Sequence, residues 1–205
     1  MRLILAVAFL FALPVVATDV IETDAAFTRV AERLAAPTVL RGNFTQSRKI
    51  ALLEQPLQSS GKFMLSDKGL YWRQDKPLDS VMIADGERLL QQVDGGSLQA
   101  IDVAKNPMVT TFSTSFLSIF NGSEDELRSH FAVEFLDGED SWSIQLTPTE
   151  YPMSEVIETI NLRGREYIEE LTVISRSSEK TTIRFSDLQT EPDQLTENEI
   201  ELYAQ

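Results

Sequence analysis

The sequence predicts an α+β fold: one curved sheet or incomplete barrel of antiparallel strands, with a few helices placed to cover an apolar face. Two observations carry this. Apolar and polar residues alternate with a period of two over most of the chain, broken by Asp-Gly and other glycine-containing turns at hairpin spacing, as in "LYWRQDKPLDSVMIADG" (70–86) and "FAVEFLDGEDSWSIQL" (131–146). Helical spacing appears only near residues 24–36 and 108–130.

The first element is not structural. Met1-Arg2 is followed by an apolar run from Leu3 to Val16, and Val15 and Ala17 complete a cleavage pattern, so residues 1–17 read as a secretory signal peptide. The run is too short for a membrane span, which needs roughly 20 apolar residues. Residues 18–205, with no repeat and no Gly, Ser or Pro-rich linker, read as one domain. The absence of cysteine excludes disulfides, thiolate nucleophiles and a lipidated N-terminal cysteine, and suits an exported protein of a bacterial periplasm. Loss of the leader removes Arg2 and no acid, moving the formal charge from −14 to −15. Nucleic acid and anionic surfaces repel such a chain unless it carries a local basic patch.

Along the chain, Phe27, Val30, Ala31 and Leu34 share one helical face, with Thr23 or Asp24 as N-cap and Pro37 beyond the end. From Val39 the period becomes two through Thr45, and strands follow near 61–66, 69–74, 79–84, 88–93 and 98–102. Asn106-Pro107 then opens "MVTTFSTSFLSIF", where Val109, Phe112, Phe116, Ile119 and Phe120 sit at near-helical spacing. Ser123 stands three before Glu126 and predicts a short capped helix to about His130. Strands resume at Phe131 and Trp142 and continue near 156–163, 166–176 and 179–187. Residues 188–205 are polar apart from Ile200, Leu202 and Tyr203.

Catalytic signals are thin. His130, the one histidine, lies at a helix-to-strand junction where a capping role is commoner than general-base catalysis. Asp137, Glu139 and Asp140 read as a solvated turn rather than a metal site, and Glu169-Glu170 point to opposite faces of a strand. Neither a phosphate loop, a nucleophile elbow nor a zinc spacing is present. No catalytic residue, metal or cofactor is assigned, and the chain is not expected to be an enzyme. The eleven Phe, two Trp and five Met are enough for a core, yet an incomplete barrel has a concave face that helices or a ligand must fill.

"GNFTQ" (42–46), "GKFML" (61–65), "LYWRQDKP" (70–77) and "VMIADGERL" (81–89), in this order and spacing, resemble the opening half of the periplasmic outer-membrane lipoprotein carriers, the LolA family. The resemblance implies an unclosed β-barrel with a helical lid and an apolar cavity for the acyl chains of a lipoprotein. It implies a periplasmic carrier, a monomer, working between an inner-membrane release transporter and an outer-membrane acceptor. The candidate lipid-binding residues are then Phe44, Phe63, Leu65, Leu70, Trp72, Val81 and Ile83 on the strands. Phe112, Phe116 and Phe120 are expected to form part of a plug, residues 108–120, that fills the cavity between cargoes. Two departures stand out: Asp67-Lys68 where the family has an Arg-Pro pair linked to lid control, and Leu89-Leu90-Gln91-Gln92 in place of an aromatic pair. They leave room for a carrier of another acylated or long-chain lipid with its own transporter. An enzyme on the same scaffold, or an envelope-stress sensor, ranks below both.

Overall fold

From Val39 onward the alternating segments pair as strands because each Asp or Gly-containing turn brings one apolar run back beside the last. In the computed structural model, which describes residues 27–32, 34, 37–85, 88–101, 124–138 and 141–203, these are β1 (Val39–Lys49), β2 (Leu57–Ser66), β3 (Gly69–Lys76), β4 (Ser80–Ala84), β5 (Leu89–Val93) and β6 (Gln99–Ile101). A second run gives β7 (Phe131–Asp137), β8 (Trp142–Pro148), β9 (Ile157–Gly164), β10 (Ile168–Ser175) and β11 (Lys180–Gln189). Helical residues 27–32, here α1, precede the sheet. The other helices are α2 (Glu124–His130), the single turn α3 (Met153–Val156) and α4 (Glu197–Tyr203).

All eleven strands form one antiparallel sheet in the order β6-β5-β4-β3-β2-β1-β11-β10-β9-β8-β7. It stays unclosed, with β6 at one edge and β7 at the other, as the α+β half-barrel reading expects. The two halves of the chain meet where β1 pairs with β11, Phe44 opposite Phe185 and Lys49 opposite Lys180. Turn chemistry matches sequence: Asp94 and Gly95 both take positive φ (52° and 67°), and Gly96 N–H donates to Val93 O at 3.0 Å, the geometry a right-twisted hairpin prefers.

Three features differ from the expectation. β1 runs to Lys49 and β2 starts at Leu57, well beyond the alternating core, because β1 is paired on both sides and its ladder continues through polar residues. The turn α3 was not anticipated. Nor was α4, which turns the polar tail into a packed element.

Alternation gives the sheet two apolar faces. The larger cluster joins α1 (Phe27, Val30), Leu34 and Leu127 of α2 to residues from both flanks, from Leu70 of β3 to Phe135 of β7. Contact between such distant strands requires a curved sheet, so this is the concave face. Phe27 lies 5.7 Å from the Phe135 ring, and the Arg128 guanidinium sits 5.0 Å above Phe27. The smaller cluster lies on the convex face, with Tyr203 of α4 against Val39, Met64, Tyr71, Val81, Ile83 and Leu90.

Candidate functional site

On β1, β2 and β3 the inward positions are Leu40, Gly42 and Phe44, then Gly61, Phe63 and Leu65, then Leu70 and Trp72. Two of these are glycines. Gly61 lies against the β3 backbone at Arg73 and Gln74, and its cross-strand partner Phe44 stacks on Trp72, with centroids 3.8 Å apart and planes at 26°. Gly42 faces Phe63, where a Cβ would lie 2.8 Å from Phe63 Cε1. Phe63 meets Phe185 of β11 edge-on at 5.1 Å, and Trp72 meets Phe185 at 6.4 Å and 88°. Offset stacking and edge contacts are the favoured aromatic geometries, so this quartet is a fixed platform across four neighbouring strands. Trp72 alone of the four is half-buried.

The structure therefore brings together five of the sequence candidates, Phe44, Phe63, Leu65, Leu70 and Trp72, in the concave cluster. It separates Val81 and Ile83 from them. These two lie on the convex face with Met64, Tyr71 and Tyr203, while their strand presents Met82 opposite Trp72 and Ala84 opposite Leu70 to the concave side. The cause is the period of two: a strand that starts inward at Met82 must point Val81 and Ile83 outward. Phe112, Phe116 and Phe120 lie outside the described residues. Phe185, Met82 and Ile183 belong to the concave cluster and were not singled out from sequence, although Ile183 and Phe185 show the two-residue spacing that marks them.

Polar chemistry is concentrated elsewhere. On the convex side Arg41 donates from Nε (2.6 Å) and Nη2 (2.8 Å) to both carboxylate oxygens of Glu199, and also to Pro192 O and Gln194 O. That donation holds the Glu199 carboxyl down to about 2 and raises Arg41 in turn. Burial pushes the Tyr203 phenol up to about 12; its hydroxyl donates to Gly69 O (3.1 Å) or Met64 O (3.2 Å) and lies 3.3 Å from Ser66 Oγ. Burial likewise raises Tyr71. These groups clamp α4 to the sheet and touch no part of the concave cluster. His130 is half-buried at the end of α2, with Nδ1 3.3 Å from Glu150 and its carbonyl accepting from Thr149. A cleft of about 660 Å³ beside the 165–167 turn is mixed in character, lined by Arg163, Arg184, Glu169 and Glu170 and also by Tyr167, Phe185 and Leu188.

What the concave face can do is hold hydrocarbon. It offers aromatic and aliphatic side chains, rings in fixed orientation and no ion pair among the described residues within the cluster.

Residues 18–189 match the family model described as outer membrane lipoprotein carrier protein LolA-like. A protein of Chromohalobacter salexigens named outer-membrane lipoprotein carrier protein is 28% identical over 194 residues, covering 91% of this chain and 89% of that protein. Among solved structures, a LolA superfamily protein from Nitrosomonas europaea superposes with a TM-score of 0.48 at 8% identity, over 86% of this chain and 96% of the other. A DUF1329 family protein from Desulfovibrio piger gives 0.49 at 11% identity, over 84% and 95%.

Proposed function

The chain belongs to the LolA-like family of outer membrane lipoprotein carrier proteins, a carrier family and not an enzyme family, and on that premise we propose that its concave sheet face receives the acyl chains of a lipoprotein. The observation that carries the reading is the aromatic platform of Phe44, Phe63, Trp72 and Phe185, which lies wholly within the family-matched residues. In this reading the protein is periplasmic, exported by residues 1–17, and moves its cargo from an inner-membrane transporter to an outer-membrane acceptor. Residues 18–205 act as one carrier domain. Leu65, Leu70, Met82 and Ile183 extend the platform along the neighbouring strands.

Energetics favour a face that is already covered. Burying hydrocarbon is worth about 0.8 kcal/mol per methylene, so a chain of ~15 carbons offers on the order of 12 kcal/mol before costs, close to nanomolar affinity. A carrier that must let go needs a competitor for its own cavity. Phe44, Phe63, Leu65 and Leu70 are all buried in the structure, so a guest has to displace what covers them. In our reading α1 and the 108–120 segment, with Phe112, Phe116 and Phe120, are that competitor.

Native mass spectrometry of the protein purified from a periplasmic extract, followed by extraction of the bound mass, tests this. A triacylated polypeptide supports lipoprotein carriage. A bound lipid without polypeptide supports the second reading, a carrier of a different acyl lipid, to which the Asp67-Lys68 departure points. A protein that stays empty when offered either cargo refutes both.

A further inference from the structure

Strand β11 outruns one of its two neighbours. Its ladder with β10 stops where Arg184 faces Glu170, while its ladder with β1 continues through Phe185 and Ser186 to Gln189 opposite Arg41. Residues 186–189 therefore have no strand beside them on the β10 side, the side to which alternate residues of an antiparallel strand aim N–H and C=O. The cleft of about 660 Å³ lies in this gap, between β11 and the 165–167 turn. Its walls come from both faces of the sheet. Tyr167, Phe185 and Leu188 are members of the concave cluster or pack against it, and Phe185 is also one of the four rings of the platform. Arg163, Glu170 and Arg184 point to the other face, as alternation with Leu162, Leu171 and Phe185 requires. Trp142 Nε1 donates to Arg165 O at 2.9 Å and fixes the turn that makes the far wall.

We propose that this cleft holds main chain of the guest, the extended peptide that follows the acylated end of a lipoprotein, while the acyl chains lie on the aromatic platform. The inference rests on the lipoprotein reading above and names the place where the polypeptide leaves the sheet. Three observations select a peptide. A strand edge with no neighbouring strand presents donors and acceptors at the spacing of another main chain, and strand addition at such an edge is a general mode of peptide recognition. Hydrocarbon gains nothing from it. Charge in the lining is close to balanced, three arginines against four acids, with Arg184 Nε donating to Glu170 at 2.9 Å and Arg165 Nε to Glu169 at 2.8 Å. Such a lining has no cationic excess with which to select a lone phosphate headgroup, whereas a run of neutral amides can use donors and carboxylates alike. Finally, Phe185 is shared by cleft and platform, so a guest whose hydrocarbon rests on those rings has its polar end already at the cleft.

The test compares three synthetic probes on the purified mature protein: diacylglyceryl-cysteine amide, the same lipid carrying a short uncharged Ser/Gly peptide, and that lipopeptide with its peptide amides N-methylated. The lipopeptide should bind roughly tenfold tighter than the amide, the increment that one or two net main-chain hydrogen bonds supply, and N-methylation should remove the increment. Ser186→Trp, which puts bulk into the cleft and leaves the platform rings in place, should bring the lipopeptide to the affinity of the amide and leave the amide unchanged. As a check that does not depend on a variant's affinity, a photo-crosslinking p-benzoylphenylalanine in place of Ser186 should capture the lipopeptide, and one in place of Gln145, on the outer face of β8 and away from the cleft, should not. Equal binding of amide and lipopeptide, or capture no stronger at 186 than at 145, overturns the peptide site while the acyl-face reading stands. Phosphatidylglycerol that binds more tightly than the lipopeptide, with the difference lost in Ser186→Trp, assigns the cleft to a lipid headgroup and overturns it too. A protein that binds none of the probes refutes the acyl-face reading itself, and the peptide site with it.

Discussion

Ile83 and Trp72 lie one strand apart, on β4 and β3, yet on opposite faces of the sheet, and substituting each to alanine separates stability from cargo binding. Ile83 is 1% exposed and packs in the convex cluster. Its truncation removes buried methylenes and leaves a void, which costs about 2–5 kcal/mol. At about 2–4 °C of melting temperature per kcal/mol for a domain of this size, an intermediate loss of about 3 kcal/mol is a fall of about 6–12 °C. Affinity for a fluorescent acyl probe, measured well below the lowered transition, should stay within about a factor of two, since no guest on the concave face touches residue 83. Trp72→Ala should do the reverse. It removes the ring stacked on Phe44, worth about 0.5–1.5 kcal/mol of aromatic contact, and also the half-buried surface nearest a guest. A loss of about 1.4 kcal/mol in binding is tenfold in affinity. If Ile83→Ala weakens the probe as much as Trp72→Ala does, the assignment of faces is wrong. If Trp72→Ala leaves the probe unaffected, the aromatic platform is core and not a binding site.

Gly61→Ala places a Cβ 1.9 Å from Arg73 O, a backbone atom, so the β2–β3 ladder has to shift; a destabilisation of about 2–4 kcal/mol with loss of the near-UV signal of the Phe44–Trp72 stack is expected in denaturant titration, and a change below about 0.5 kcal/mol refutes the close-approach argument. Tyr203→Phe removes a buried hydroxyl that serves Met64 O or Gly69 O and should cost about 1 kcal/mol, read as a lower denaturation midpoint at unchanged slope. Glu199 has a folded value of about 2 against an ordinary 4.5, so its stabilisation is complete above pH 4.5 and is lost as pH falls toward 2. At about 1.36 kcal/mol per pH unit this amounts to at most about 3 kcal/mol, and Glu199→Gln should flatten that part of the stability profile; an unchanged profile means the Arg41 pairing does not operate in solution.

Much of this architecture was legible because the strands alternate and their turns are marked. "FAVEFLD" and "WSIQLTP" became β7 and β8, with Phe135 opposite Ile144. The facing of β4 was not legible, and the reason is local: "SVMIA" has apolar side chains on both sides, so it offers no polarity contrast with which to choose between Val81 and Met82. The choice comes from its neighbour, where Trp72 pairs with Met82 and the outward Tyr71 pairs with Ile83. Phe185 shows the same limit at longer range. Its alternation with Ile183 is visible, but its contact with Phe63 depends on β1 pairing with a strand almost the whole chain away. In α4, "ENEIELY" is too short to stand alone: a Thr196–Glu199 capping box that the sequence did offer starts it, and Arg41 and the pocket for Tyr203, both contributed by distant strands, hold it.

A sheet that gives its larger apolar face to a guest cannot rely on that face alone for stability, because every contact a guest replaces is lost to the fold during loading. The convex cluster answers this constraint. Tyr203, Leu202 and Leu195 cover Val39, Met64, Tyr71, Ile83 and Leu90 on the far side of the same strands that carry Phe44, Phe63 and Trp72, and the Arg41–Glu199 pair fastens them there. Tyr203, Leu202, Leu195 and Glu199 lie past residue 189, beyond the stretch that matches the family model, while Arg41 lies within it. Strands β1 to β3 are thereby held from behind, and a covering segment can leave their concave side without exposing both faces at once. In the proposed function, that arrangement lets the same strands be a stable sheet and a site whose occupant changes.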